Sequence, residues 1–312
     1  MKGFRKHCAV YRSWKKGYYQ LASDGWQEGL LFNRTEQFIY GMSTLGLMTL
    51  KFPIRIYSFI LMPNHIHLVL SGTGSGCVDA FDFFRRRTST RLAKDGDTPL
   101  PDGYGFKLIP IKDEQEMRNH LLYVLRNAYE KGWCSPLTYP WSSGWLVFST
   151  IATFIKGVLA GTLSARKKIT LVGSETPIPD QWEFHPELGL LPRSFVDLGM
   201  IQRLFPHVKG FETRLIKDYE VYAQIAEDLG EAFSLSEEEC RDIVTQLLNK
   251  HFGNRELHQL ETSELYTLAA KMNTTYHVSP ASIADTLHLN EKIVRQVLRS
   301  KEYGPRPVFQ KD

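Results

Sequence analysis

The sequence predicts an α+β chain: an antiparallel sheet with flanking helices, followed by an all-helical C-terminal region. Three observations predict it. Over the first half, runs of β-formers alternate with helical stretches in the order strand, helix, strand, strand, helix, strand, helix. Two of the strands are separated only by Met62-Pro63-Asn64 and so pair as a hairpin. From about Ser194 onward the pattern is helical, without repeats or low-complexity tracts.

Each element has its own warrant. Residues 7–14 (HCAVYRSW) read as a strand, and Lys15-Lys16-Gly17 as a turn. Asn33 can cap a helix running through Glu36, Phe38 and Ile39 toward Leu50, closed by Pro53. Residues 54–61 (IRIYSFIL) and 65–71 (HIHLVLS) read as strands, and 72–76 as a flexible loop. A helix follows over 78–93, with Arg85, Arg86, Arg87 and Arg91 toward its end. Residues 106–111 (FKLIPI) are a short strand whose proline suggests an edge or an end. Asp113 then caps a helix to about Lys131, stopped by Gly132. The proline-rich stretch 132–210 reads as a connector with packed parts.

Composition narrows the function classes. The 312 residues suit about two domains, and 43% hydrophobic with 23% charged residues suits a globular chain. No basic start followed by an apolar run marks a secretion signal. The most apolar run, 146–163, contains Ser149, Thr150 and Lys156 and reads as a buried helix rather than a membrane span. Cys8, Cys77, Cys134 and Cys240 form no CxxC pair, which argues for a reducing compartment, the cytoplasm, and against structural zinc. Residues 1–150 carry 19 basic and 12 acidic side chains, a net +7; the remainder carries 19 and 22, a net −3. A basic first half suits a polyanionic partner.

The chemistry gathers at two places. His65 and His67 stand two apart on a strand, so both imidazoles project from one face and can share a metal ion. On the helix after Asp113, Met117, Leu121, Val124, Leu125 and Ala128 make the apolar stripe. Glu116, His120, Tyr123 and Asn127 lie along its flank, on a face expected to lie outside the core. A phenol with a pKa near ~10 is a poor nucleophile at neutral pH unless a cation polarises its target. Neutral donors such as His65, His67 and Asn127 leave Mg²⁺ or Mn²⁺ its charge for that purpose, and His120 is a rival third ligand.

The stretch YSFILMPNHIHLVL (57–70) resembles the histidine–hydrophobic–histidine motif of the HUH endonucleases, in the form found in single-tyrosine transposases. HLLYVLRNAYEKG (120–132) followed by YPWSS (139–143) is similar to the REP-associated tyrosine transposase branch. Order and spacing agree, with about 55 residues between motifs, and the resemblance covers about residues 5–145. It implies a ferredoxin/RRM-like HUH fold, His65 and His67 as metal ligands, Tyr123 as nucleophile and Asn127 as third ligand. The implied reaction cleaves and rejoins single-stranded DNA, often beside a hairpin, through a covalent 5′-phosphotyrosine, in a monomer or a homodimer. The family's Asn-Pro is Asn127-Ala128 here, and a second tyrosine, Tyr129, faces away from Asn127.

The expected organisation is an HUH domain over 1–148, a connector over 149–210 and a helical domain over 211–312. For DNA contact the candidates are Lys15, Lys16, Arg85, Arg86, Arg87 and Arg91 on phosphates, and Trp14, Tyr18 and Tyr19 on unpaired bases. Ser279-Pro280 opens a helix, and SPASIADTLHLNEKIVRQVLRS reads as a helix-turn-helix within about 264–301. Ile283, Ala284, Leu287, Leu289, Val294 and Leu298 would face inward there. Lys292, Arg295, Gln296 and Arg299 would face DNA. A non-catalytic DNA-binding regulator and a metal-dependent phosphodiesterase are the alternatives.

Overall fold

The computed structural model describes residues 8–26, 29–128, 135, 137–148, 151–215, 218–231 and 235–299. The chain divides into two units, Met1–Leu215 and Ile216–Asp312.

In the first unit, strands β1 (Gly17–Ser23), β2 (Arg55–Leu61), β3 (Ile66–Gly72) and β4 (Phe106–Ile111) form an antiparallel sheet in the order β2-β3-β1-β4. Residues 8–12 are helical, and the first strand starts at Gly17, where a turn was expected. Short apolar runs fit helix or strand equally well. What decides here is that Gly17–Ser23 pairs with both β3 and β4. Helix α1 (Thr35–Lys51) begins after Arg34, which makes no side-chain cap. Asn33 is instead engaged with Gln37 and Asp97, so the expected Asn33 cap is absent. Helix α2 (Gly74–Lys94) starts inside the stretch expected to be a loop, because the Thr73 hydroxyl accepts from the Gly76 amide at 3.1 Å. Helix α3 (Glu114–Arg126) is capped by Asp113 as expected; its expected end at Lys131–Gly132, and Tyr129, lie outside the described residues.

The sheet register assigns its faces. Gln20, Ala22, His67, Val69 and Ser71 share one face, and α3 covers it through His120 and Tyr123. Tyr19, Leu21, Phe59, Leu61, Ile66 and Leu68 occupy the other and are buried. There Phe81 of α2 packs on Phe106 with centroids 4.4 Å apart, and α1 lies against β2. Leucine or phenylalanine burial of this kind stabilises by about 1.5–3 kcal/mol per side chain.

Residues 151–215 carry a three-stranded sheet of β5 (Val158–Leu159), β6 (Glu183–His185) and β7 (Gly189–Leu190). It packs on α1, where Leu190 occupies the place a Cβ of Gly46 would take. Helix α4 (Ala165–Val172) also lies on α1, and α5 (Val208–Leu215) lies on α3. The apolar run 146–163 is not the single buried helix expected. It holds the short helices Gly144–Phe148 and Ile151–Phe154 and then β5, with Phe154 80% exposed. No helix among the described residues is long and apolar enough to cross a membrane.

The second unit contains α6 (Tyr219–Leu229), α7 (Glu237–His251), α8 (Thr262–Tyr276), α9 (Pro280–Leu287) and α10 (Glu291–Arg299). Ser279 caps α9 with Pro280 at its first position, as expected. Helices α8, α9 and α10 pack together through buried Ile283, Ala284, Leu287 and Val294, while Leu289 and Leu298 are half-buried.

Candidate active site

The site is built on the β2–β3 turn. The Met62 amide donates to the His65 carbonyl at 2.9 Å and closes the turn. Its outer carbonyls are held from residues before α1: Pro63 O accepts from the Leu31 and Phe32 amides, and Asn64 O from the Trp26 amide. At the first residue of β3, the Ile66 amide donates to Ser23 Oγ at 2.9 Å, and the Tyr104 hydroxyl donates to the same oxygen at 2.7 Å. Two histidines that flank a backbone pinned in this way lose little freedom when they bind a ligand.

The imidazoles of His65 and His67 stand with centroids 4.8 Å apart, nearly perpendicular. Asn64 Oδ1 lies 2.8 Å from His65 Nδ1. With that oxygen as acceptor, Nδ1 carries the proton. His67 is fully buried, and burial pushes its pKa down to about 3, so it is neutral at neutral pH. Two imidazoles side by side on one mount are donors of the kind a divalent cation takes. Among the described residues no cluster of three or more His, Cys, Asp or Glu side chains is placed to hold one. His120 Nδ1 meets Gln20 Oε1 of the sheet. A cation held by this pair would take Asn127, or His120 as its rival, for a third protein donor, and phosphate oxygens or water at the other positions.

Tyr123 meets His67 edge-on, with centroids 5.7 Å apart. The flank expected outside the core is buried: His120 is 6% exposed, and Tyr123 and Asn127 are each 2% exposed. His120 and Tyr123 are enclosed because their side of α3 lies on the sheet, against Gln20 and His67; α5 packs on the same helix. The Asn127 amide nitrogen donates to the Tyr123 carbonyl at 2.9 Å, so Oδ1 is the atom with which it would meet a cation.

The Trp-Ser-Ser segment holds β2 rather than entering the site. Ser142 bridges to Ile60, and the Leu61 amide donates to the Trp141 carbonyl at 2.8 Å. Ser143 Oγ accepts from the Phe59 amide at 3.1 Å and meets Ser58 Oγ at 3.0 Å. Buried Tyr139 donates to the Leu61 carbonyl.

No protein-family model and no curated protein matches the chain. Among solved structures, a REP-associated tyrosine transposase bound to a REP hairpin is similar, with a TM-score of 0.36 and 15% identity over 45% of this chain and 84% of that one.

The basic residues take varied places. Lys15 and Lys16 are exposed. Arg85 and Arg86 share Asp82, at 2.9 and 3.1 Å, and Arg91 pairs with Asp95 at 2.7 Å. Arg87 is built into the fold. It donates to the Val172 and Gly173 carbonyls at 2.7 and 3.0 Å and to Thr44 Oγ1, and it lies over the Tyr40 ring. Of the aromatics, Trp14 stacks on Tyr19, which is buried; Tyr18 is 41% exposed. Lys292, Arg295, Gln296 and Arg299 are exposed on α10, with Arg295 paired to Glu291 at 2.6 Å. Sequence reasoning missed Gln20, Ser23, Asn64 and Tyr104. Asn64 alone carried a signal, its place next to His65; the others come from segments remote in the chain.

Proposed function

We propose that the chain is a transposase-type enzyme that cleaves and rejoins single-stranded DNA. The observation that carries this is the meeting of His67, itself beside His65, with Tyr123 of the same chain. The motif resemblance and the basic first half support it. Bound at His65, His67 and Asn127, Mg²⁺ or Mn²⁺ would polarise the scissile phosphate and offset its developing charge. The Tyr123 oxygen attacks phosphorus, the Oη–P bond forms and the bond to the 3′ oxygen breaks. The phenolic proton ends on that leaving oxygen, which becomes a free hydroxyl. The phosphotyrosine keeps the energy of the broken linkage, so a 3′-hydroxyl can attack it and rejoin the strand. Tyr123 serves its own subunit's histidines in this reading. The exposed face of α10 serves as a helix-turn-helix contact to DNA through Lys292, Gln296 and Arg299.

The test is incubation with labelled single-stranded DNA and Mg²⁺, followed by a denaturing gel. A covalent adduct that disappears in Tyr123→Phe is expected. No adduct with the parent protein, or one that survives the substitution, overturns the proposal, and cleavage without an adduct assigns a phosphodiesterase.

A further inference from the structure

The face of the sheet that carries His67 continues along β3 to Ser71, four residues on, which is about 13 Å at the rise of a strand. At that end Lys16, Tyr18, Arg55, Tyr57 and Ser71 line a cavity of about 490 Å³. Register brings them together: Tyr18 and Arg55 both pair with Ser71, one from each side. A bulge between Ile56 and Ser58 inserts Tyr57 and turns it toward the same row.

The lining has the parts of a nucleotide site. Tyr57 is a fixed wall, buried, with its hydroxyl 3.1 Å from Ser71 Oγ. It backs the exposed Tyr18 ring at 5.6 Å. Lys16 and Arg55 add two cations, and no acidic side chain lines the cavity. Asp197, outside the lining, takes one N–H of Arg55 at 3.0 Å, and the Arg55 side chain is still 66% exposed. A guanidinium has five such donors. The volume falls within the range of about 300–1,000 Å³ usual for ligand sites.

We infer that this cavity takes one unpaired nucleotide, its base on Tyr18 and its phosphate between Lys16 and Arg55. An exposed aromatic platform stacks any base whose face is free, whereas a paired base within a duplex offers none. The site extends the proposed function and rests on its nucleic-acid partner, not on its covalent step.

The test uses the full chain carrying Tyr123→Phe, in EDTA, so that covalent chemistry is silent. Anisotropy of a fluorescein-labelled single-stranded octamer reads binding, and iodouracil photo-crosslinking with peptide mapping reads location. Tyr18→Ala is expected to weaken binding about ten-fold, Tyr18→Phe to retain it, and the crosslink to map to Tyr18. Deoxyadenosine monophosphate should compete while inorganic phosphate does not. Competition by the mononucleotide as strong as by the octamer identifies a free nucleotide as the ligand; a much tighter octamer identifies a strand. Unchanged binding in Tyr18→Ala with no crosslink overturns the inference, and phosphate competing as well as the nucleotide reduces the site to an anion site. A Tyr18-dependent octamer complex alongside an absent adduct in the parent protein would sink strand transfer and leave this site standing.

Discussion

His67 and Tyr123 meet ring edge to ring face across the interface of β3 and α3, at 5.7 Å and 82°. The contact places a neutral imidazole beside a phenol inside the core, so side chains of the candidate site are also packing side chains. Substitutions there separate into effects on stability and effects on chemistry.

His67→Ala empties a fully buried position and should cost about 2 kcal/mol or more of stability. His65→Ala, at a half-buried turn, should cost about 1 kcal/mol or less. Mn²⁺ is expected to raise the Tm of the parent protein, and both substitutions should abolish that rise. Thermal unfolding with and without Mn²⁺ checks this; a rise retained in either variant argues against the pair as ligands.

Ser143→Ala should destabilise by about 1–3 kcal/mol, because the Phe59 amide loses its buried acceptor. Urea unfolding reads the loss. At a temperature where the variant stays folded, adduct formation should be close to that of the parent, since Ser143 holds an edge of β2 and touches no reacting group.

Arg87→Lys keeps the charge and loses the planar fork that caps the end of α4. Burial already holds the pKa of this guanidinium below its ordinary value. The variant should lose about 1–2 kcal/mol of stability with no change in the salt dependence of DNA binding. A shallower salt slope would return Arg87 to the DNA-contacting set. Arg86→Gln, at an exposed position on the same helix, is the comparison in which a shallower slope is expected if α2 meets phosphates.

Arg193 holds the Glu183 carboxyl below its ordinary value of 4.5, through contacts of 2.9 and 2.6 Å. The unfolded chain therefore binds more protons than the folded one between the lowered value and 4.5. The contribution is fully present above pH 4.5 and is lost as pH falls through the folded value. Glu183→Gln should cost about 1 kcal/mol at pH 7 for this part-exposed pair. The difference should close in acid, as urea midpoints across pH 3–7 would show.

What near neighbours encode was legible in the order of residues. The hairpin break at Met62-Pro63-Asn64 and the two-residue period placed His65 and His67 side by side. The helical period placed His120, Tyr123 and Asn127 on one flank of α3. What that flank faces depends on how α3 packs in the folded chain. A period reports which residues share a side, and it is silent on what the fold lays against that side, here Gln20 and His67 of the sheet. The tertiary structure also decided where the first strand lies, since Gly17–Ser23 is fixed by pairing with strands about 50 and 90 residues away. The same distance in sequence hid Ser23 and Tyr104, whose hydroxyls hold the backbone between the two histidines. It likewise hid the carbonyls of α4 that draw Arg87 into the fold.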